Sequence, residues 1–176
     1  RVFFAVEIDG KTVNVVIQLL IERAAKESIK NFHKLLTSNN GSSYRSTKLS
    51  RIVSPEFIIQ GGAIDGFNGD LLVKNEVTPE TTLLDQRGLV AIATEVENHE
   101  PSSEFFITLE DLSEFKALKG RFLVIGKIVN GLDQLIELTK DVAVDENDRP
   151  IHDIYITRTG ELVKKKKTSA QNDTSK

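Results

Sequence analysis

The sequence predicts a mainly β domain, a barrel or a sandwich, and three observations carry that expectation. Most apolar residues fall in short runs separated by turn residues: Phe57–Gln60, Leu89–Thr94, Glu104–Leu109, Phe122–Val129 and Ile151–Thr157. Near the N-terminus, Val13, Val15, Ile17 and Leu19 alternate with Asn14, Val16, Gln18 and Leu20, the period of two that turns one strand face to a core. Only two segments carry a helical period. In a barrel, two such helices would plug the open ends.

In chain order, Val2–Ile8 is rich in β-branched and aromatic residues, and Asp9-Gly10 is a hairpin signal, so the opening reads as a β-hairpin. From Ala24 to Thr37, Ala25, Ile29, Phe32 and Leu36 recur at i, i+4, i+7 and i+11, one stripe of an amphipathic helix. Ser38-Asn39-Asn40-Gly41 ends it. A second, short helix is expected from Leu132 to Lys140, with Leu132, Leu135 and Ile136 inward and Asn130 near its start. One domain is expected over residues 1–163, followed by a polar, disordered tail over residues 164–176.

With 176 residues, 39% of them apolar, the chain can bury one core but not comfortably two. A net charge of −3 gives no general electrostatic reason to bind nucleic acid or acidic membrane. The basic run Lys164–Lys167 lies in the tail, and no stretch approaches the ~18 apolar residues of a membrane span. Without cysteine, disulfides, thiol nucleophiles and thiolate metal sites are excluded. The chain begins at Arg1 rather than methionine, so an upstream piece is expected; a signal peptide there would place the protein in the secretory pathway. The sequons Asn40-Gly41-Ser42 and Asn172-Asp173-Thr174 point to a glycoprotein of that compartment, with the cytoplasm as the alternative.

Several chemical motifs fail. Gly126-Lys127 is followed by Ile128 where a phosphate loop needs Ser or Thr, and Gly120 is one residue too far upstream. Asp145-Glu146-Asn147-Asp148 starts like a calcium loop, but Pro150 stands where glycine is required, so the segment reads as a solvated turn. His33, His99 and His152 have no ligand spacing, and there is no G-x-S-x-G elbow. No metal, nucleotide, cofactor or covalent nucleophile is expected.

The segment from Arg51 to Gly62, Arg-Ile-Val-Ser-Pro-Glu-Phe-Ile-Ile-Gln-Gly-Gly, resembles the central signature of the cyclophilins. Other segments agree in the same order. Asn31-Phe32 is similar to the Glu-Asn-Phe of their first helix, and Gly88–Ala93 to their Gly-x-Leu-Ser-Met-Ala strand. Ser103–Ile107 matches their Ser-Gln-Phe-Phe-Ile, and Gly120–Val129 with Gly131-Leu132 resembles their last long strand and second helix. The resemblance runs from about Val2 to Leu162. It implies an eight-stranded antiparallel barrel closed by two α-helices, with peptidyl-prolyl cis–trans isomerase activity at a groove on the outer face. The partners it implies are proline-containing peptides or client proteins, bound by a monomer without a cofactor.

The resemblance also assigns residues. Arg51 matches the catalytic arginine, and Gln60 the glutamine that orients it and contacts substrate backbone. Phe57, Ile58, Phe106, Leu118 and Phe122 match the proline pocket and its rim, with Ile58 for a methionine and Phe122 for a histidine. Ala93 matches a small residue that admits peptide backbone, Thr94 replaces an asparagine, and Glu104 replaces a glutamine. Ser50 and Leu49 stand for a histidine and a phenylalanine, Ala117 lies near the usual tryptophan, and one extra residue separates Arg51 from Phe57. These departures predict reduced activity, through Glu104 pairing with Arg51, and weak cyclosporin binding, through the missing tryptophan. The competing expectation is a proline-peptide binding module with negligible turnover.

Overall fold

The opening residues fold as their alternation dictates. Val2–Ile8 (β1) and Lys11–Leu19 (β2) pair antiparallel from Val2 opposite Ile17 to Ile8 opposite Lys11, with Asp9-Gly10 as a two-residue turn. Val13, Val15, Ile17 and Leu19 are all buried. A computed structural model describes residues 1–22, 25–69, 71–93, 102–115 and 122–165. After the hairpin come α1 (Lys26–Thr37), β3 (Leu49–Ile52), β4 (Ile58–Gly61), β5 (Leu89–Ala93), β6 (Phe105–Thr108), β7 (Phe122–Asn130), α2 (Leu132–Thr139) and β8 (Ile156–Glu161).

These form an eight-stranded sheet in the order β3-β4-β6-β5-β7-β2-β1-β8, with every pair antiparallel. The sheet curls until its edges meet. Leu49 N–H donates to Ile154 O (2.9 Å), Ile156 N–H to Thr47 O (2.8 Å) and Ser46 N–H to Ile156 O (2.8 Å), and Lys48 bridges Tyr155. Closure satisfies edge groups that would otherwise offer a template for another strand.

Because side chains alternate along a strand, the same strands build two apolar layers. Inside the barrel lie Val90 and Ile92 of β5, Phe105 and Ile107 of β6, and Leu123 and Ile125 of β7, against Phe4, Val6, Val15 and Ile17. On the outer face, Leu89 and Ala91, Phe106, Phe122 and Val124 cluster with Ile58, Leu84 and Leu112.

α1 closes one side with the predicted stripe: Ala25, Ile29, Phe32 and Leu36 are buried, joined by Leu35. The Phe32 ring lies 5.4 Å from Tyr44 and 5.7 Å from Phe105, and Tyr44 lies 5.1 Å from Phe105. The helix starts without a side-chain cap of its own at Ala25. Glu76, nearly fifty residues away, supplies one: its carboxylate accepts the backbone N–H groups of Glu27 (2.8 Å) and Ser28 (2.9 Å) and the Ser28 hydroxyl (2.6 Å).

One local expectation is corrected, and the structure adds detail at two other places. The last strand is Ile156–Glu161, not Ile151–Thr157; Ile151 is 57% exposed, and pairing with β1 from Val2 opposite Glu161 to Val6 opposite Ile156 selects the polar stretch instead. Leu49–Ile52 is a strand that no long apolar run announces. α2 starts where expected, with Gly131 at φ 93° directly before it and Asn130, the last residue of β7, one position further upstream. Most of the tail, with Asn172, lies outside the described residues.

Candidate active site

The antiparallel register sets a row of side chains across the outer face. Arg51 on β3 stands opposite Gln60 on β4, Gln60 opposite Phe106 on β6, and Phe106 opposite Ala91 on β5. With strands about 4.8 Å apart, Arg51 and Phe106 are separated at the backbone by about 10 Å, a span that a short extended peptide can cover. Two residues along, Glu104 and Ala93 form the neighbouring row, tied by Ala93 N–H to Glu104 O at 3.4 Å. Phe106 (7% exposed), Phe122 (3%) and Ile58 (5%) pack together at the base, with Phe106 and Phe122 edge-on at 5.8 Å.

Phe57 comes from the turn before β4. Its φ is +90°, a region that bulky residues avoid and that marks strain held by its surroundings. Two hydrogen bonds bracket it: Val53 N–H to Ile58 O (2.9 Å) and Leu109 N–H to Phe57 O (2.8 Å). The ring meets Arg51: the guanidinium carbon lies 5.7 Å from the Phe57 centroid. Phe115 also packs against Phe57, with centroids 4.9 Å apart and the rings tilted by 38°. Next to this, a hollow of about 530 Å³ is lined by Val77, Pro79, Leu84, Leu112, Phe115 and Phe122.

The polypeptide needs glycine behind Gln60. A Cβ on Gly61 would lie 2.8 Å from Lys48 O; one on Gly62, at φ +88°, would meet the Tyr44 and Phe105 rings at 2.7–2.8 Å. Gly62 O accepts the Ser103 hydroxyl (2.7 Å), whose oxygen also accepts Ile64 N–H (2.8 Å), while Tyr44 donates its hydroxyl to Ser103 O (2.7 Å). Burial, with the nearby Glu104 charge adding to it, pushes the Tyr44 hydroxyl well above its ordinary pKa, so it remains a donor. This network fixes the start of β6, and with it Glu104 and Phe106.

The structure gives Arg51 a different carboxylate from the one expected. Nε and Nη2 both donate to Asp148 Oδ2, at 3.2 and 3.1 Å. Glu104 instead accepts the Ser50 hydroxyl at 2.9 Å. The reason is local: the β3–β4 register shifts between Leu49 and Arg51, and the irregularity places Ser50 within reach of Glu104. Gln60, expected to orient the arginine, makes no side-chain hydrogen bond among the described residues; the Arg51 side chain is instead hydrogen-bonded by Asp148.

Of the residues singled out from sequence, Arg51, Phe57, Ile58, Gln60, Ala93, Glu104, Phe106 and Phe122 thus converge on one outer surface. Thr94 and Leu118, and Ala117 beside it, lie outside the described residues. Asp148 and Phe115 were not anticipated. Asp148 sits in the segment read as a solvated turn, and Phe115 carried no signal, since its relation to Phe57 exists only in three dimensions. Among the described residues, no group of three His, Asp or Glu side chains is placed to hold a metal ion. No helix among them is long and apolar enough to cross a membrane.

A closed antiparallel barrel with an arginine beside an aromatic cluster on its outer face defines the class of the protein. The family model described as cyclophilin type peptidyl-prolyl cis-trans isomerase/CLD matches residues 3–161, and the chain belongs to that family. Peptidyl-prolyl cis-trans isomerase cyp11 of Rhizopus delemar is 31% identical over 99% of this chain and 56% of its own length. Peptidyl-prolyl cis-trans isomerase B of Saccharomyces cerevisiae is 28% identical over 92% of this chain and 79% of its own length. Peptidyl-prolyl cis-trans isomerase CYP21-1 of Arabidopsis thaliana is 29% identical over 94% and 77% respectively. The chain spans little more than half the length of the first of these relatives.

Proposed function

We propose that this chain accelerates cis–trans isomerisation of X-Pro peptide bonds in protein folding, with Arg51 and Gln60 acting on the amide and the Phe57–Phe106 surface taking the prolyl ring. The observation that carries this reading is the Arg51 guanidinium 5.7 Å from the Phe57 centroid, in one row with Gln60 and Phe106.

No bond is made or broken. The barrier comes from conjugation between the amide nitrogen and its carbonyl, and unaided X-Pro exchange takes tens to hundreds of seconds. In the twisted state the lone pair is localised on nitrogen. A permanently charged fork of donors beside that nitrogen or the carbonyl stabilises the twisted arrangement more than the planar one, which lowers the barrier. The apolar base excludes the water that favours the planar, more polar amide. Gln60, with its amide otherwise unengaged among the described residues, holds the substrate backbone. Ala93 leaves room beside it, and Phe122 belongs to the apolar base; Thr94 and Leu118 are assigned to the groove on the resemblance alone.

The test is a protease-coupled isomerisation assay on a proline tetrapeptide. Arg51→Ala is expected to lower kcat/KM by about 10²-fold, the usual cost of one preorganised donor. Equal rates for the two proteins overturn the reading. A second reading, a proline-peptide binding module, draws on the Phe115 ring that stacks against Phe57 and narrows access to it. It predicts peptide binding by titration with no turnover in either protein.

The replaced tryptophan position leads us to propose weak cyclosporin binding, and calorimetry giving tight binding would remove that idea. The same reading takes residues 1–163 as a monomeric unit followed by a polar tail, in the secretory pathway. Asn40 of the first sequon is exposed just after α1, open to a glycan. Loss of mass on treatment with a glycosidase checks the compartment.

A further inference from the structure

We propose that Asp148 is the positioning residue for Arg51, an inference that rests on the isomerase reading of the same groove. Asp148 does not touch the substrate amide; it acts through the guanidinium.

Four observations support it. First, both Nε and Nη2 of Arg51 donate to a single oxygen, Asp148 Oδ2, at 3.2 and 3.1 Å. One edge of the fork is consumed, and Nη1 is left without a partner among the described residues. Second, the guanidinium so held lies against Phe57, its carbon 5.7 Å from the ring centroid. Third, Asp148 is itself tied to the arginine's own strand, since Ile52 N–H donates to Asp148 O at 2.9 Å. Fourth, Asp148 adopts φ +60°, a left-handed conformation that aspartate takes more readily than most residues and that suits it to this turn.

Hydrogen bonds within the turn hold it there. Asp145 Oδ1 accepts the N–H groups of Asn147 (2.8 Å) and Arg149 (3.0 Å), Asp145 O accepts Asp148 N–H (3.1 Å), and Arg149 O accepts Asp145 N–H (2.9 Å). The turn that looked merely solvated is a rigid arm that delivers one carboxylate to one guanidinium.

Two effects of that carboxylate oppose each other. Its charge offsets part of the arginine's field, while its hydrogen bonds restrict a long, flexible side chain. The side chains are 41% and 37% exposed, so water screens the charge and the offset is small. Positioning therefore dominates: a donor that must find its place at each turnover is slower than one already there.

The experiment compares wild type, Asp148→Gly, Asp148→Asn, Arg51→Ala and the Arg51→Ala/Asp148→Gly double variant in the coupled assay. Glycine keeps the left-handed turn and removes the carboxylate; asparagine tolerates the same turn and keeps one acceptor oxygen. Asp148→Gly is expected to lower kcat about tenfold with KM within twofold, Asp148→Asn to restore most of it, and Asp148→Gly to add nothing once Arg51 is gone. Unchanged or higher kcat in Asp148→Gly overturns the proposal. So does an equal loss with and without Arg51, which would mark a purely structural role. A second readout does not depend on turnover: the Arg51 Nε–H resonance in a ¹⁵N spectrum should be sharp and slowly exchanging in wild type and lost in Asp148→Gly. If no protein in the set accelerates isomerisation, the proposed function falls, and an Nε–H signal unmoved by Asp148→Gly sinks the positioning role separately.

Discussion

Replacing Glu76 tests how the barrel's first helix is held against the back of the site. α1 begins without a local cap, and the Glu76 carboxylate accepts Glu27 N–H, Ser28 N–H and the Ser28 hydroxyl at 2.8, 2.9 and 2.6 Å. Glu76 is only 9% exposed and Ser28 is fully buried, so water cannot replace these bonds. Hydrogen bonds to a charged group contribute roughly 1.5–3 kcal/mol each, and unsatisfied buried donors cost a similar amount. Removing the side chain in Glu76→Ala therefore destabilises by about 3 kcal/mol, after allowance for non-additivity. Glu76→Gln keeps one acceptor oxygen and should cost about 1.5 kcal/mol. At this chain length each kcal/mol moves Tm by about 2–4 °C.

The pH dependence has a definite sign. Burial by itself raises the Glu76 pKa and is the largest single influence. The hydrogen bonds from the Ser28 hydroxyl and from the Glu27 and Ser28 backbones outweigh it, so the folded value lies below the usual one. The stabilisation is then fully present above the unfolded pKa of about 4.3 and is lost as pH falls through the folded value. Urea unfolding of wild type and Glu76→Gln should show a constant gap from about pH 7 down to about pH 5, narrowing below pH 4. A gap under about 0.5 kcal/mol at pH 7, or one that persists undiminished into acid, refutes the reasoning.

Other consequences can be checked alongside. Gly62→Ala drives a Cβ to within 2.8 Å of the Tyr44 and Phe105 rings at φ +88°, and thermal melts should show a loss of about 2–3 kcal/mol. Thr159→Val should raise stability by about 1 kcal/mol, because Thr159 Oγ1 is buried with no hydrogen-bond partner among the described residues; a lowered Tm would point to a partner not yet seen. The Glu104 carboxylate accepts only the Ser50 hydroxyl and has no cation within ion-pair distance among the described residues. Peptides with lysine within two residues of the proline should therefore be turned over faster than those with glutamate. The ratio should fall toward one in Glu104→Gln, and a ratio unaffected by that change would exclude the charge as its cause.

The sequence by itself determined the layers of this protein. Alternation at Val13–Leu19 and the stripe Ala25–Ile29–Phe32–Leu36 reflect the geometry of a strand and a helix, which repeat every two and every 3.6 residues whatever surrounds them. The linear signature from Arg51 to Gly62 likewise brought Arg51, Phe57 and Gln60 to one place, since a turn and two short paired strands leave them little choice. Short-range geometry is written in the chain.

Only the tertiary structure decided the partners. Leu49–Ile52 is too short to show a period, and β8 is set by its register on β1 rather than by its own apolar content. Glu76 capping α1, Phe115 on Phe57 and Asp148 holding Arg51 each join residues from separate elements. A carboxylate in a polar turn looks the same in sequence whether it faces water or a guanidinium. What separates the two cases is where barrel closure brings the turn, and closure is a property of all eight strands together.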